Sequence, residues 1–397
     1  MSPRLPRRRP DDQPRGIRLP PRMLEVLRDG AVELAPGADE RLDAGSLGVA
    51  LVIPQFRRGS GGHKTIADLV RGLEARGHHV MLWLVDEEHR HDGQSDRELG
   101  RLFREFFGPV EAPIARLEDD QRFGGADVLI ATGWQTVPSV LRLPRARARA
   151  YLVQDHEPEF YATSIEREWA AWTYRQGLHA ICASPWLAGL VGERYGATTS
   201  SFDLGVDHAA YHPLPTHRRD DLVLFYARPT TARRAVPLGV LALEELHRRR
   251  PEVEIAFFGE ARQARTSFPH RHLGVLPPDE LAHAYASATV GIVLSLTNPS
   301  LVPTEMLACG LPVVDLAVPS MLETFGAHAP LELVEPHPVA LCEAVERLLD
   351  DLALRADRAR AGMTLADQRT WEHAAAQVEV GLYEALRGAA SAAGAQA

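Results

Sequence analysis

The sequence predicts an α/β protein built from two doubly wound domains that face each other across a cleft. Three observations carry this expectation. From Leu47 onward, apolar runs of strand length alternate with amphipathic helical stretches. The alternation breaks once, at the polar, Pro-bearing HPLPTHRRDD (212–221), and then starts again. Each apolar run ends in a polar or Gly-bearing turn, as parallel strands joined through helices do. A chain of 397 residues is too long for one small core and fits two domains of common size.

The elements follow in order. LGVALVIPQF (47–56) reads as a buried strand, RRGSGGHK (57–64) as a loop, TIADLVRGLEARG (65–77) as a helix and HVMLWLV (79–85) as the next strand, which together make a βαβ unit. ADVLIATGW (126–134), RAYLVQD (149–155) and GLHAICAS (177–184) continue the series. After the linker come LVLFYAR (222–228), a helix through LGVLALEELHRR (238–249), VEIAFFGE (253–260), HRHLGVL (270–276), a helix DELAHAYASA (279–288) and TVGIVLSL (289–296). A short helix around Glu305, stopped by Gly310 and Pro312, leads into the strand LPVVDL (311–316). From Pro338 the chain reads as helical. Two successive halves of this kind predict two Rossmann-like domains.

Composition narrows the function. With 45% hydrophobic and 24% charged residues the chain has a globular balance, and no apolar run reaches the roughly 20 residues that span a bilayer. The opening residues lack a basic stub followed by an apolar stretch, so no leader peptide is expected and a cytoplasmic placement is. The three cysteines, Cys182, Cys309 and Cys342, are far apart and offer neither a disulfide framework nor a zinc site. A net charge of −9 argues against a nucleic-acid binder. Arg4, Arg7, Arg8, Arg9, Arg15, Arg18 and Arg22 crowd the start. Two readings of them stay open: a solvated tail, and a peripheral contact with anionic lipid or a partner. Lys64 is the single lysine.

Several motifs fail. RRGSGGHKT has His63 and Arg58 where a phosphate loop needs glycines, and Lys64 where a dinucleotide fingerprint needs its third one. What survives is Gly59, Gly61 and Gly62, which would let backbone approach a ligand at a helix N-terminus or simply form a tight turn. HRHD (89–92) lies in a charged surface stretch, no Asp-x-Asp occurs, and neither HExxH nor a serine nucleophile elbow is present, so no metal is expected.

Other stretches carry chemistry. In FYARPTTARRA, Arg228 follows a buried strand directly, and Arg233 and Arg234 precede the next helix. Guanidinium groups at a strand's carboxyl end suit phosphate oxygens, although surface ion pairing would look the same. Glu305 ends another strand-loop unit of the same half, where a carboxylate can accept two ribose hydroxyls. Gly274, Val275 and Leu276 close a third strand and could flank a base through backbone groups. Together these describe a nucleoside-diphosphate site. In the first half, Gly133, Trp134, Gln135 and Thr136 end one strand, and Asp155, His156 and Glu157 end another. The three ionisable residues in a row read either as acceptor binding and proton transfer or as structural hydrogen bonding. Trp134 reads either as a stacking face for a sugar or as core.

At this point the chain resembles the retaining glycosyltransferases of the GT-B fold, the large family that includes sucrose synthases and phosphatidylinositol mannosyltransferases. LGVDHAAYHP (204–213) is similar to that family's inter-domain crossing, EMLACGLPVVD (305–315) to its helix start, and WEHAAAQVEVGLY (371–383) to its terminal helix, which packs back on the first domain. More narrowly, YLVQDHEPEFY, ICASPWLA, FYARPTTARR and LSLTNPSLVPTEMLACGLPVVD resemble the WsaF-like rhamnosyltransferases, which use dTDP-rhamnose. The resemblance implies Glu305 as ribose ligand, Arg228 and Arg234 on the diphosphate, and Leu301 and Val302 as backbone phosphate contacts. There is one departure: Thr297, with Asn298 beside it, stands where the wider family has a glutamate, which leaves the donor sugar open.

The resulting expectation is a metal-independent, retaining transferase without cofactor. It would move rhamnose or another deoxyhexose from a nucleotide-diphosphate donor to a glycan, lipid-linked or small-molecule acceptor. Arg228, Arg234, Asp155, His156 and Glu157 are its catalytic candidates. Gly61, Gly62, Arg233, Val275, Leu276, Asn298, Leu301, Val302 and Glu305 are its donor contacts, and Trp134, Gln135, Asp155 and Glu157 its acceptor contacts. The expected division is a partly disordered extension (1–45), an acceptor domain (46–213), a nucleotide-sugar domain (214–365), a crossover helix (366–388) and a disordered tail (389–397). A nucleotide-sugar epimerase and a non-catalytic scaffold of the same fold are the competing readings.

Overall fold

The computed structural model describes residues 19–118, 120–326 and 329–394. In the first domain the order is α1 (Met23–Asp29), β1 (Gly48–Pro54), α2 (Gly61–Ala75), β2 (His79–Val85), α3 (Asp96–Phe107), β3 (Ile114–Arg116), β4 (Ala126–Ala131), α4 (Val137–Arg142), β5 (Ala146–Val153), α5 (Ile165–Thr173), β6 (His179–Cys182), α6 (Pro185–Tyr195) and β7 (Thr199–Ser201). The second domain holds β8 (Leu222–Tyr226), α7 (Val236–Arg249), β9 (Glu254–Phe258), β10 (Arg271–Gly274), α8 (Pro278–Ser287), β11 (Val290–Ile292), α9 (Leu301–Ala308), β12 (Val313–Leu316), α10 (Pro319–Phe325), β13 (Glu332–Val334), α11 (Pro338–Asp350) and α12 (Leu352–Asp367), and α13 (Trp371–Gly394) closes the chain.

Both sheets are parallel, in the orders β3-β2-β1-β4-β5-β6-β7 and β10-β9-β8-β11-β12-β13. Strand order reverses between β1 and β4, and again between β8 and β11. A doubly wound sheet binds its ligand in the crevice outside those switch points. The loops that matter are therefore those after β1, β4, β8 and β11. The central strands are apolar on both faces because helices cover both faces: β1 is buried from Val49 to Ile53. One layer of the first domain packs α2, α3 and α13 on the sheet and the other packs α1, α4 and α6; in the second domain α7 and α11 oppose α8, α9, α10 and α12.

The crossing back is tight. Val206 pairs with Thr370 as an isolated parallel bridge, and α13 then lies on the first domain. Gly72 on α2 is what allows it: a Cβ there would stand 2.3 Å from the Ala375 Cβ of α13. Glu379 of α13 fixes the register, pairing with Arg76 and, at 2.8 Å, with His78. The helix runs through Gly394, beyond residue 388 where the sequence reading began a disordered tail; residues 395–397 lie outside the described residues. Arg4, Arg7, Arg8, Arg9, Arg15 and Arg18 also lie outside them, whereas Arg22 is described and pairs with Asp120. Cys182, Cys309 and Cys342 are buried and free. Among the described residues no helix is long and apolar enough to cross a membrane.

Gly72→Val should overpack the α2–α13 contact and cost about 1–3 kcal/mol in urea unfolding; an unchanged midpoint would show that α13 does not depend on this approach.

Candidate active site

The second domain contributes the cationic side of the crevice. The loop after β8 carries Arg228, half-buried and with no hydrogen bond or ion pair to its side chain among the described residues. At its far end a 3-10 turn, Ala232–Arg234, precedes α7. Arg234 is only 6% exposed, and among the described residues the one hydrogen bond of its guanidinium runs from Nη1 to the Ser295 hydroxyl, 3.1 Å away in the loop after β11. Burial pulls its pKa below the usual arginine range, against the attraction of Asp155. Ser295 is itself held from behind, because its backbone N–H donates to Asp315 Oδ1 at 2.8 Å. Asp315 is fully buried on β12, its Oδ2 has no partner, and burial lifts its carboxyl to about 7. A buried cation with one neutral partner leaves donors free for an anion.

The loop after β11 runs into α9, whose N-cap Ser300 is extended and makes no side-chain cap. The Ser300 and Thr297 hydroxyls, in the loop facing Arg234, are buried without a partner, which is unusual for native structure. Leu301 and Val302, half-buried, open α9 and point its first amides to the crevice end. Glu305 follows one turn later. It keeps some accessible surface, yet its surroundings push its carboxyl up to about 8, burial first, with Asp68 and Asp207 adding to the rise and Lys64 opposing it. Lys64 reaches this group from α2 and is clamped by Asp68 at 2.6 and 2.8 Å. Val275 is exposed at 60% and Leu276 is half-buried, at the end of β10.

Across the crevice stands the Gly loop after β1. His63 braces it, with Nδ1 2.8 Å from the Ser60 hydroxyl and Nε2 3.1 Å from the Pro54 carbonyl, and burial lowers its pKa to about 4. A Cβ on Gly61 would meet open space, while the Gly62 carbonyl accepts from Gln154 Nε2 at 3.2 Å. At Gly59, with φ +77°, an added Cβ would come within 4.0 Å of the Val275 side chain of the other domain. In the loop after β4, Gln135 is half-buried with no hydrogen bond to its amide among the described residues.

Four expectations need correction. Trp134 is buried at 3% exposure, donates from Nε1 to the Tyr161 hydroxyl and packs by Trp169, so it offers no face for stacking. Glu157 accepts from the Trp134 backbone N–H at 2.8 Å and the Tyr151 hydroxyl at 2.7 Å; wholly enclosed, its carboxyl rises to about 7. His156 is buried against Tyr174, with Nε2 2.8 Å from the Tyr195 hydroxyl, and burial lowers its pKa. Both Glu157 oxygens and His156 Nε2 therefore have protein partners, while His156 Nδ1 stands 3.7 Å from Glu159 Oε1. Asn298 is likewise spent: Nδ2 donates to the Ala183 carbonyl at 2.7 Å and the Gln154 carbonyl at 3.1 Å, and its Oδ1 accepts from the Ser184 hydroxyl at 2.7 Å. It clasps the two domains together rather than facing a donor. Asp155 belongs to the same clasp, accepting from the Asn298 N–H at 3.1 Å and pairing with Arg233 Nε at 2.7 Å.

Ser295, Asp315 and Ser184 went unread in the sequence. Asp315 left a signal, a lone carboxylate inside the apolar run VVDL; Ser184 left another, a cap immediately before Pro185 that now serves both α6 and Asn298. The histidines of HRHD do not gather a metal set: His91 is buried against Gln94 and the Phe56 carbonyl, and among the described residues no group of three His, Cys, Asp or Glu is placed to hold an ion.

Two Rossmann-like domains facing a cleft, with a terminal helix returned to the first, define the GT-B fold. Comparison with known proteins agrees. Residues 221–346 match the family model described as WsaF, C-terminal domain. Over 282 residues the chain is 34% identical to the O-antigen biosynthesis protein RfbC of Myxococcus xanthus, to which it is related; the match takes in 68% of this chain and 22% of that protein, so the chain spans about a fifth of the relative's length. Among solved structures, sucrose-phosphate synthase from Thermosynechococcus elongatus superposes with a TM-score of 0.65 at 18% identity, covering 86% of this chain and 99% of that one. Anabaena HepE in complex with UDP-glucose gives 0.63 at 15% identity, covering 86% and 99%. At such identities these two likenesses concern the fold alone.

Glu157 also sets a pH dependence. Its folded pKa, about 7, lies above its ordinary value of 4.5, so the folded state holds a proton that the unfolded chain has lost. Stability should fall as pH rises from about 4.5 to 7, by up to ~1.4 kcal/mol per pH unit for this group. Glu157→Gln should flatten that part of the profile in urea unfolding at pH 5 and 7; an unaltered slope would contradict a proton on Glu157.

Proposed function

We propose that the chain is a retaining, metal-independent glycosyltransferase that moves rhamnose or another deoxyhexose from a dTDP-linked donor to a hydroxyl of a glycan, lipid-linked or small-molecule acceptor. The observation that carries this reading is the buried Arg234 guanidinium at the second sheet's switch point, with donors to spare. Arg228 and the amides opening α9 share its crevice, which makes a cradle for two phosphates. The match to the WsaF C-terminal model supports the reading, because it spans all of these loops. The printed role of RfbC in O-antigen biosynthesis supports a glycan product, and HepE with UDP-glucose supports a nucleotide-sugar donor.

In this mechanism Arg234, Arg228 and the α9 N-terminus take up the charge that grows on the departing diphosphate. The anomeric C–O bond to phosphate breaks and the bond to the acceptor oxygen forms on the same face. The hydroxyl proton passes to the leaving phosphate oxygen. Glu305, protonated at neutral pH by its raised pKa, can donate to one ribose oxygen and accept from the other. Thr297 supplies no carboxylate for donor-sugar hydroxyls, which suits a deoxy sugar. Gln135, half-buried in the loop after β4 and with no hydrogen bond to its amide among the described residues, is assigned to the acceptor. Closure of one domain on the other would exclude water and suppress donor hydrolysis.

Arg234→Ala should lower turnover by about 100-fold or more at saturating donor. The assay is release of dTDP from dTDP-rhamnose with and without acceptor. Release only with acceptor is expected; wild-type turnover in the variant would remove Arg234 from the mechanism, and donor conversion without acceptor would favour an epimerase.

A further inference from the structure

The two adjacent arginines before α7 do different things. Arg234 turns back into its own domain, toward Ser295. Arg233 reaches across the cleft. Its guanidinium lies over the ring of Phe160 at 4.0 Å, and its Nε stands 2.7 Å from Asp155 Oδ2. Both partners belong to the first domain. The Asp155 side chain is about nine-tenths buried and its other oxygen is committed, accepting from the backbone N–H groups of His156 at 2.9 Å and Asn298 at 3.1 Å. Arg233 keeps 25% of its side chain exposed at the crevice, and Asp155 also acts electrostatically on Arg234 beside it. The first domain therefore presents a fixed carboxylate to Arg233, the immediate neighbour of the Arg234 that the proposed function assigns to a diphosphate.

We propose that Asp155 is an internal competitor for the donor's diphosphate: its carboxylate occupies Arg233 across the cleft, and a nucleoside diphosphate gains Arg233 only by exchanging with it. The inference rests on the nucleotide-binding reading above. The Arg233 Nε is buried beside Asp155, and two anionic groups cannot share one guanidinium without repulsion between them. A diphosphate, with more charge and more acceptor oxygens than a carboxylate, wins the exchange at the cost of the domain-to-domain ion pair. The neutral part of the ligand is indifferent to it.

The test is calorimetric titration of dTDP, with thymidine as control, into wild type, Asp155→Asn, Arg233→Ala and the double variant. Asp155→Asn keeps an oxygen for the His156 and Asn298 N–H groups and removes only the charge; a thermal melt confirms that it folds. It should bind dTDP roughly tenfold more tightly than wild type, with thymidine affinity unchanged. In the Arg233→Ala background the gain should vanish. Equal or weaker dTDP binding by Asp155→Asn, or a gain that persists without Arg233, overturns the competition while leaving the nucleotide site standing. Absence of dTDP binding by every variant and by wild type overturns both.

Discussion

A guanidinium cannot be buried at the end of a parallel strand without something to answer its charge, and Arg234 is buried there with a single hydroxyl as protein partner. The architecture around the crevice follows from that constraint. Ser295 supplies the hydroxyl, and Asp315 holds the Ser295 backbone N–H and adds an attraction from below. Asp155 adds another from the opposite domain. Neither carboxylate touches Arg234 directly, so its remaining N–H groups stay aimed at the cleft. Under the proposed function, an anion of the size of a diphosphate completes this arrangement.

The same loops hold the domains together. Asn298 lies three residues beyond Ser295 and three before the start of α9, and its amide is consumed by the ends of β5 and β6 in the first domain. Arg233 sits next to Arg234 and pairs with Asp155. Domain closure and anion binding are thus built on neighbouring residues of two short loops, and neither can move far without the other. This is a physical route by which a ligand in the second domain can alter the grip of the first.

The α/β alternation was legible because parallel strands buried on both faces are continuous apolar runs, and LGVALVIP or VEIAFF can hardly be read otherwise. The three-residue strands β3, β7 and β13 were not, being short, at or near the sheet edges and, for the last two, half-exposed. Arg228, Arg234 and Glu305 were legible as charges at strand ends. Asp155, His156 and Glu157 looked alike in sequence and proved unlike in structure, because their partners Tyr195, Tyr151 and Arg233 come from different elements that no local pattern reveals. Asn298 was misjudged for the same reason: its partner Ser184 lies 114 residues earlier in the chain.

The proposed function places a nucleoside diphosphate in the crevice between the loops after β8 and β11. A crystal structure of this chain with dTDP tests it most directly. The account predicts phosphate oxygens within about 3 Å of the Arg234 guanidinium and of the Leu301 and Val302 backbone N–H groups, with the ribose on Glu305. A nucleotide bound elsewhere, or one whose phosphates leave Arg234 untouched, would contradict it.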